Sequence, residues 1–173
     1  MTESPAERYA AAMRRARQER SELAAFRQTF PFELDPFQVE ACEAVEDGQG
    51  VLVAAPTGSG KTVVGQFGVH LALARGRRVM YTTPIKALSN QKFAELKERH
   101  GEANVGLLTG DVSINPDAPA IVMTTEVLRN MLYNESSALH DLDVVIMDEV
   151  HYLADRFRGP VWEEVIIHLP DRV

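Results

Sequence analysis

From residue 51 onward, short apolar runs alternate with longer stretches whose apolar residues recur every three or four positions. "VLVAA" (51–55), "VMYTT" (79–83), "VGLLT" (105–109), "AIVMT" (120–124) and "DVVIM" (143–147) read as short buried strands. The stretches between them read as helices. One starts near Gly60, carries Val64, Phe67, Leu71 and Ala74 on one face, and is closed by Gly76. A second covers about 86–99 and stops near Gly101, a third covers about 126–133, and a last one starts near Pro160. Pro84 ends the second strand. Strands alternating with helices predict βαβ units and a mainly parallel sheet, an α/β fold in three layers.

Upstream the texture differs. Residues 4–26 predict one helix: Ser4, Pro5 and Glu7 form a capped start, and Tyr9, Met13, Ala16 and Leu23 fall on one stripe, thinned by Arg20. A solvated arm accounts for it, ahead of a contact to nucleic acid or a partner through Arg14, Arg15, Arg17 and Arg27. From Phe30, "FPFELDPFQ" is dense in aromatics and prolines. Asp35 and Pro36 then start a helix that runs to about Glu46 and is stopped by Asp47-Gly48. The expected organisation is an N-terminal helical arm, 1–29, followed by one domain, 30–173, without repeats or low-complexity segments.

Composition narrows the classes. The chain has 173 residues, one domain's worth, enough to bury ~70% of its unfolded surface. A net charge of -7 argues against a protein that coats nucleic acid by bulk charge, and leaves room for a local basic track. The single cysteine, Cys42, precludes an internal disulfide, and no Cys/His spacing suits structural zinc. The N-terminus lacks an apolar signal core, and no apolar run is long enough to span a bilayer. The expectation is a soluble intracellular protein, cytoplasmic, with no membrane partner.

The unusual residues follow the predicted strands. After 51–55 comes "PTGSGKT", after 79–83 "PIKALSNQK", after 105–108 "TGD", after 120–123 "TTE", and after 143–147 "DEVH". Open α/β sheets bind ligands beyond the carboxyl ends of their strands. Five such ends in series predict one continuous working surface. In "APTGSGKT", Gly58 and Gly60 let backbone amides approach phosphate oxygens, Lys61 adds charge, and the following helix adds its positive end. Thr62 is placed to set a hydroxyl on Mg2+. Ala55 stands where the general phosphate-loop pattern has glycine, at a position that closes the strand. At the other end, a buried strand running into Asp148-Glu149 is costly without a reason. Asp148 holding Mg2+ and Glu149 polarising an attacking water supply one. The pair of motifs predicts a P-loop NTPase with both halves of a Mg-nucleotide site.

"APTGSGKT", "DEVH" and "TTE" before a helix resemble the superfamily 2 DExH-box helicases. "FPFELDPFQ" and "DRFRGPVWEE" (155–164) are similar to the superkiller-like RNA helicase branch. The resemblance runs from about Phe30 to the C-terminus and implies the first, N-terminal RecA-like domain of an ATP-dependent RNA helicase. It implies that Phe32 stacks on adenine and that Gln38 hydrogen-bonds the adenine edge; Gln38 also fits the third helical position of a capping box begun by Asp35. It implies a phosphate cradle of Ala55, Pro56, Thr57, Gly58, Ser59, Gly60, Lys61 and Thr62, with Mg2+ on Thr62 and Asp148. Catalysis would fall to Lys61, Asp148 and Glu149, with His151 coupling the ATP site to a partner domain. Pro84, Lys86, Thr109, Gly110, Asp111, Thr125 and Arg129 would grip the backbone of single-stranded nucleic acid, RNA ahead of DNA, with little base reading.

The chain departs from that family in one respect. A helicase of this class has a second RecA-like domain, which supplies an arginine finger, and an S-A-T motif on a strand between the phosphate-loop strand and the "DEVH" strand. Neither is found before Val173. The domain is therefore expected to be truncated before the S-A-T strand, to lack a central sheet member, and to be a piece of a longer protein with little ATPase activity alone. A DNA helicase or translocase remains an alternative, as does a short non-catalytic protein that binds nucleotide or nucleic acid.

Overall fold

The computed structural model describes Tyr9 and residues 21–173. The arginines of the expected arm from Arg14 to Arg20 lie outside the described residues. The chain divides into two compact units, residues 1–71 and 72–173.

Among the described residues, the first unit contains the helices α1 (Glu22–Arg27), α2 (Pro36–Glu46) and the start of α3 (Thr62–Ala74). The helix expected over 4–26 lies for the most part outside the described residues, and the described part, α1, begins after Ser21. Ser21 has an extended backbone, φ -74° and ψ 152°, and its hydroxyl accepts the Ala24 N–H at 3.1 Å. A serine in that conformation caps a new helix. Leu23 and Phe26 of α1 are buried with Leu34, Ala41 and Cys42 and with Val64, Phe67 and Leu71 of α3. Phe26 contacts Phe30 and Phe67 at ring separations of 5.1 and 5.2 Å. The expected apolar face of α3 is thus a core face, except that Ala74 is exposed. Burial, with Glu46 and Glu43 nearby, pushes the Cys42 thiol up to about 12, so it is a small apolar filler.

The strand expected at 51–55 does not form. Leu52 is 76% exposed and Val51 37%, and no strand of the described residues pairs with this segment. An apolar run is a strand only where a neighbour satisfies its N–H and C=O groups. Here that neighbour is not among the described strands.

The second unit carries a five-stranded sheet. Its strands are β1 (Arg78–Thr83), β2 (Val105–Leu108), β3 (Ser113–Ile114), β4 (Ala120–Thr124) and β5 (Leu142–Met147), in the order β3-β2-β4-β1-β5. β1 pairs in parallel with β4 and β5, and β4 with β2; only β3 is antiparallel. The helices are α4 (Lys86–His100), α5 (Thr125–Tyr133) and α6 (Gly159–His168). Met80, Ile121 and Met123 pack with Leu128 of α5 and Val165 of α6 on one face of the sheet. Tyr81, one residue out of step with Met80, faces the other way, where Lys92 of α4 lies over its ring. Helices on both faces explain why β1 and β4 are apolar without alternation. The two-residue β3 and the 3-10 turns at Glu102–Asn104, Ser137–Leu139 and Val150–Ala154 are elements that apolar periodicity does not announce.

Candidate functional site

In the first unit the phosphate loop leads into α3. Gly58 and Gly60 have φ of +83° and +80°, the left-handed backbone that lets successive amides line a concavity. Between them, Ser59 Oγ is buried and meets no hydrogen-bond partner. An orphaned hydroxyl inside a glycine-flanked loop at a helix start is what a cradle for an anionic group leaves when the protein alone is considered. Lys61 Nζ lies against its own loop, donating to the carbonyls of Ala55 at 2.5 Å and Pro56 at 2.8 Å. Thr62 is exposed at the first position of α3. Loop and lysine together fit a phosphate.

Gln38 is 4% exposed and both ends of its amide are engaged. Oε1 accepts the Asp35 N–H at 2.9 Å, and Nε2 donates to the Gly60 carbonyl at 3.0 Å. The capping geometry is therefore present, and the same side chain buttresses the phosphate loop. A Cβ at position 60 would meet Gln38 Nε2 at 2.5 Å and displace that amide, and the φ of +80° there also favours glycine. Phe32, 56% exposed, rests on Phe30 with ring centroids 5.2 Å apart.

In the second unit the parallel strands β1, β2, β4 and β5 end on one edge, and their ends are tied together. The Thr125 hydroxyl donates to the Thr83 carbonyl at 3.2 Å, and Thr83 and Ser89 share a hydrogen bond of 2.7 Å. Lys86 is paired with Asp111 at 2.5 Å, and Thr109 donates to Asp111 at 3.1 Å. These bonds, from Lys86 first and Thr109 second, hold the Asp111 carboxyl below the usual carboxylate range. Pro84 and Thr125 are buried, Gly110 is exposed, and Arg129 reaches Glu164 at 3.6 Å. Of the seven residues expected to face nucleic acid, then, several hold neighbouring strand ends in place.

Asp148 follows β5. Its N–H donates to the Thr82 carbonyl at 3.0 Å, its Oδ1 accepts the Glu149 N–H at 2.9 Å, and its Oδ2 accepts the Tyr81 hydroxyl at 2.7 Å. Glu149 has a left-handed backbone, φ 59° and ψ 42°, a conformation that costs a non-glycine residue of order 1–3 kcal/mol and marks functional sites. Glu149 Oε2 lies 3.1 Å from His151 Nδ1. No cluster of three or more His, Cys, Asp or Glu forms a metal cage among the described residues. Magnesium does not need one, since it takes one or two carboxylates and completes its shell with waters and substrate phosphates. Asp148, carboxylate and half-buried, fits that role.

Tyr81 is the site residue that apolar patterning conceals. It is 2% exposed, and burial first, then the Asp148 carboxylate, holds its hydroxyl far above the ordinary phenol range. It is a permanent donor. Further on, Asp155 Oδ1 accepts the N–H groups of Phe157 and Arg158, both at 2.9 Å, and Trp162 is buried. A Cβ on Gly159 would collide with the Leu153 carbonyl, which gives the glycine of "RGPVWEE" a steric reason.

The family description that matches this chain is DEAD/DEAH box helicase, over residues 35–173. The chain belongs to that family, and Ski2- and Mtr4-like DExH helicases are among its relatives. It is 65% identical over 153 residues to a probable helicase HelY of Mycobacterium leprae, covering 88% of this chain and 17% of that protein. It is 54% identical over 144 residues to the exosome RNA helicase MTR4 of Mus musculus, covering 83% of this chain and 14% of the relative. The chain thus spans less than a fifth of the length of either. Among solved structures, the Mycobacterium smegmatis helicase Lhr bound to ssDNA and AMP-PNP matches with a TM-score of 0.64 and 30% identity, over 86% of this chain and 24% of that one. The fold is the RecA-like α/β fold expected. Among the described residues, no helix is long and apolar enough to cross a membrane.

Proposed function

We propose that this chain is the ATP-binding first motor domain of an ATP-dependent RNA helicase. The observation that carries the reading is Asp148, held by three hydrogen bonds at the strand-end edge that also bears Lys86, Thr109–Asp111 and Thr125. Lys61 and the amides of Gly58 to Thr62 bind the phosphates of ATP, and Asp148 in the second unit and Thr62 in the first are the residues the family resemblance offers to Mg2+. Bound Mg2+ neutralises charge that builds on the phosphate oxygens. Glu149 takes the proton of the attacking water on a carboxylate oxygen, and His151, 3.1 Å from it, links that carboxylate to a partner domain. Phe32 offers an exposed ring to adenine, with Gln38 at the adenine edge. Pro84, Lys86, Thr109, Gly110, Asp111, Thr125 and Arg129 form the surface that meets the strand. For Pro84 and Thr125 the role is to set the backbone there, since their side chains are buried.

RNA is preferred because a relative 54% identical is named as an RNA helicase. The DNA reading is favoured by a 30% identical helicase that was solved with ssDNA bound. The test is ATP hydrolysis by the complete protein with single-stranded RNA or DNA of equal length. Stimulation by RNA, abolished in Lys61→Ala and Glu149→Gln, is the expected outcome. Stimulation by DNA alone would replace RNA with DNA, and hydrolysis undiminished in both variants would overturn the site.

A further inference from the structure

The carboxylate of Asp148 is restrained at both oxygens, and by different means. The Glu149 N–H on Oδ1 belongs to the same turn and comes with its backbone. The Tyr81 hydroxyl on Oδ2 comes from the neighbouring strand, 67 residues away in sequence, at the 2.7 Å length of a charge-assisted bond. Register explains the meeting. Tyr81 lies opposite Ile146, and Asp148, two residues beyond Ile146, falls on the same face of the sheet. The ring itself is fixed by Lys92 of α4, whose ammonium lies 5.4 Å from the ring centroid and is paired with Glu95 at 2.6 Å. A carboxylate has about four lone-pair directions. One hydroxyl and one amide leave a direction on each oxygen, so the hydroxyl orients the group without filling the place of a ligand.

We infer that Tyr81 is a positioning residue for the metal site: its hydroxyl locks the rotamer in which Asp148 receives the divalent cation. This rests on the reading of Asp148 as a cation ligand. The bland account runs the other way, with Asp148 merely satisfying a buried phenol that needs an acceptor. The two accounts differ in what removal of one oxygen atom does to metal affinity. Partners that orient a metal ligand are worth about 10–100-fold in metal affinity.

The experiment measures Mn2+ binding to the complex of the complete protein with a non-hydrolysable ATP analogue, by electron paramagnetic resonance, for wild type, Tyr81→Phe and Asp148→Asn. Thermal melts accompany each. Tyr81→Phe keeps the ring in its place and is expected to fold. Its Mn2+ affinity should fall by ~10–100-fold, with metal-free affinity for the analogue unchanged. A lowered melting temperature with Mn2+ affinity within twofold of wild type would overturn the positioning role and leave Asp148 as the ligand. Wild-type Mn2+ affinity in Asp148→Asn would overturn the ligand reading, and the inference with it.

Discussion

The side-chain amide of Gln38 joins the start of α2 to the Gly60 carbonyl of the phosphate loop, at 3.0 Å. One buried residue thereby caps the start of a helix and buttresses the phosphate loop. Replacing it by alanine leaves the Asp35 amide without its acceptor and the Gly60 carbonyl without this donor. Both bonds are part-buried, and such a hydrogen bond is worth about 0.5–1.5 kcal/mol net. Urea unfolding of Gln38→Ala should therefore show a loss of about 1–3 kcal/mol for the two together. Gln38→Glu keeps the capping acceptor and removes the donor to Gly60, so it should preserve α2 while weakening nucleotide binding. Wild-type stability and affinity in both variants would show that the two bonds carry no weight.

Segment 51–55 is apolar yet forms no strand and leaves Leu52 exposed. Backbone amides outside a ladder exchange with solvent freely, whereas those of a central strand open only with the whole unit. Hydrogen exchange followed by mass spectrometry on the 173-residue chain should therefore show rapid labelling of 51–55 and strong protection of β1. Strong protection of 51–55 together with 143–147 would contradict an unpaired segment.

Asp155 closes the turn before α6 by accepting the N–H groups of Arg158 and Phe157, and these bonds hold its carboxyl below the usual range. The sign follows from the depressed value. The turn's stabilisation is complete above the ordinary carboxylate pKa of ~3.9 and is lost as pH falls through the lower folded value. Carboxyl carbon shifts in an acid titration should place Asp155 below exposed aspartates. Asp155→Asn keeps an acceptor oxygen and should remove this part of the acid dependence; an unshifted Asp155 would refute the account.

Much of the second unit was legible in sequence because β1 and β4 are covered by helices on both faces, and an apolar run with no alternation is the trace such strands leave; β5, at the edge of the described sheet, leaves the same trace though it is only half-buried. Segment 51–55 leaves the same trace and fails, since apolarity records a tendency to be buried, whereas a strand also needs a ladder partner, and none of the described strands pairs with it. β3 is two residues in a polar stretch and leaves no trace. Ser21 starts α1 within a stretch that reads as one helix, because its hydroxyl caps the Ala24 amide and Leu23 and Phe26 pack behind it. The segment 55–62 and the pair Asp148-Glu149 stand out as candidates from residue types alone. The partners of Gln38 and Tyr81 could not, because each is fixed by register or by a fold-back across more than twenty residues. For Tyr81 the one available signal was parity with Asp148 on adjacent parallel strands.

Lys86 does not present a bare charge to solvent. Its ammonium already has a counterion in Asp111, on a chain whose net charge is -7. A phosphate that takes hold of Lys86 must displace that carboxylate, so part of the attraction is offset before binding begins. The gain in entropy that usually accompanies a lysine on nucleic acid, from ions shed by the polyanion, is here matched by an aspartate left to recruit a cation of its own. On the proposed reading, the ion pair would make this corner of the edge a charge exchanger, less sensitive to salt than a count of its basic residues implies.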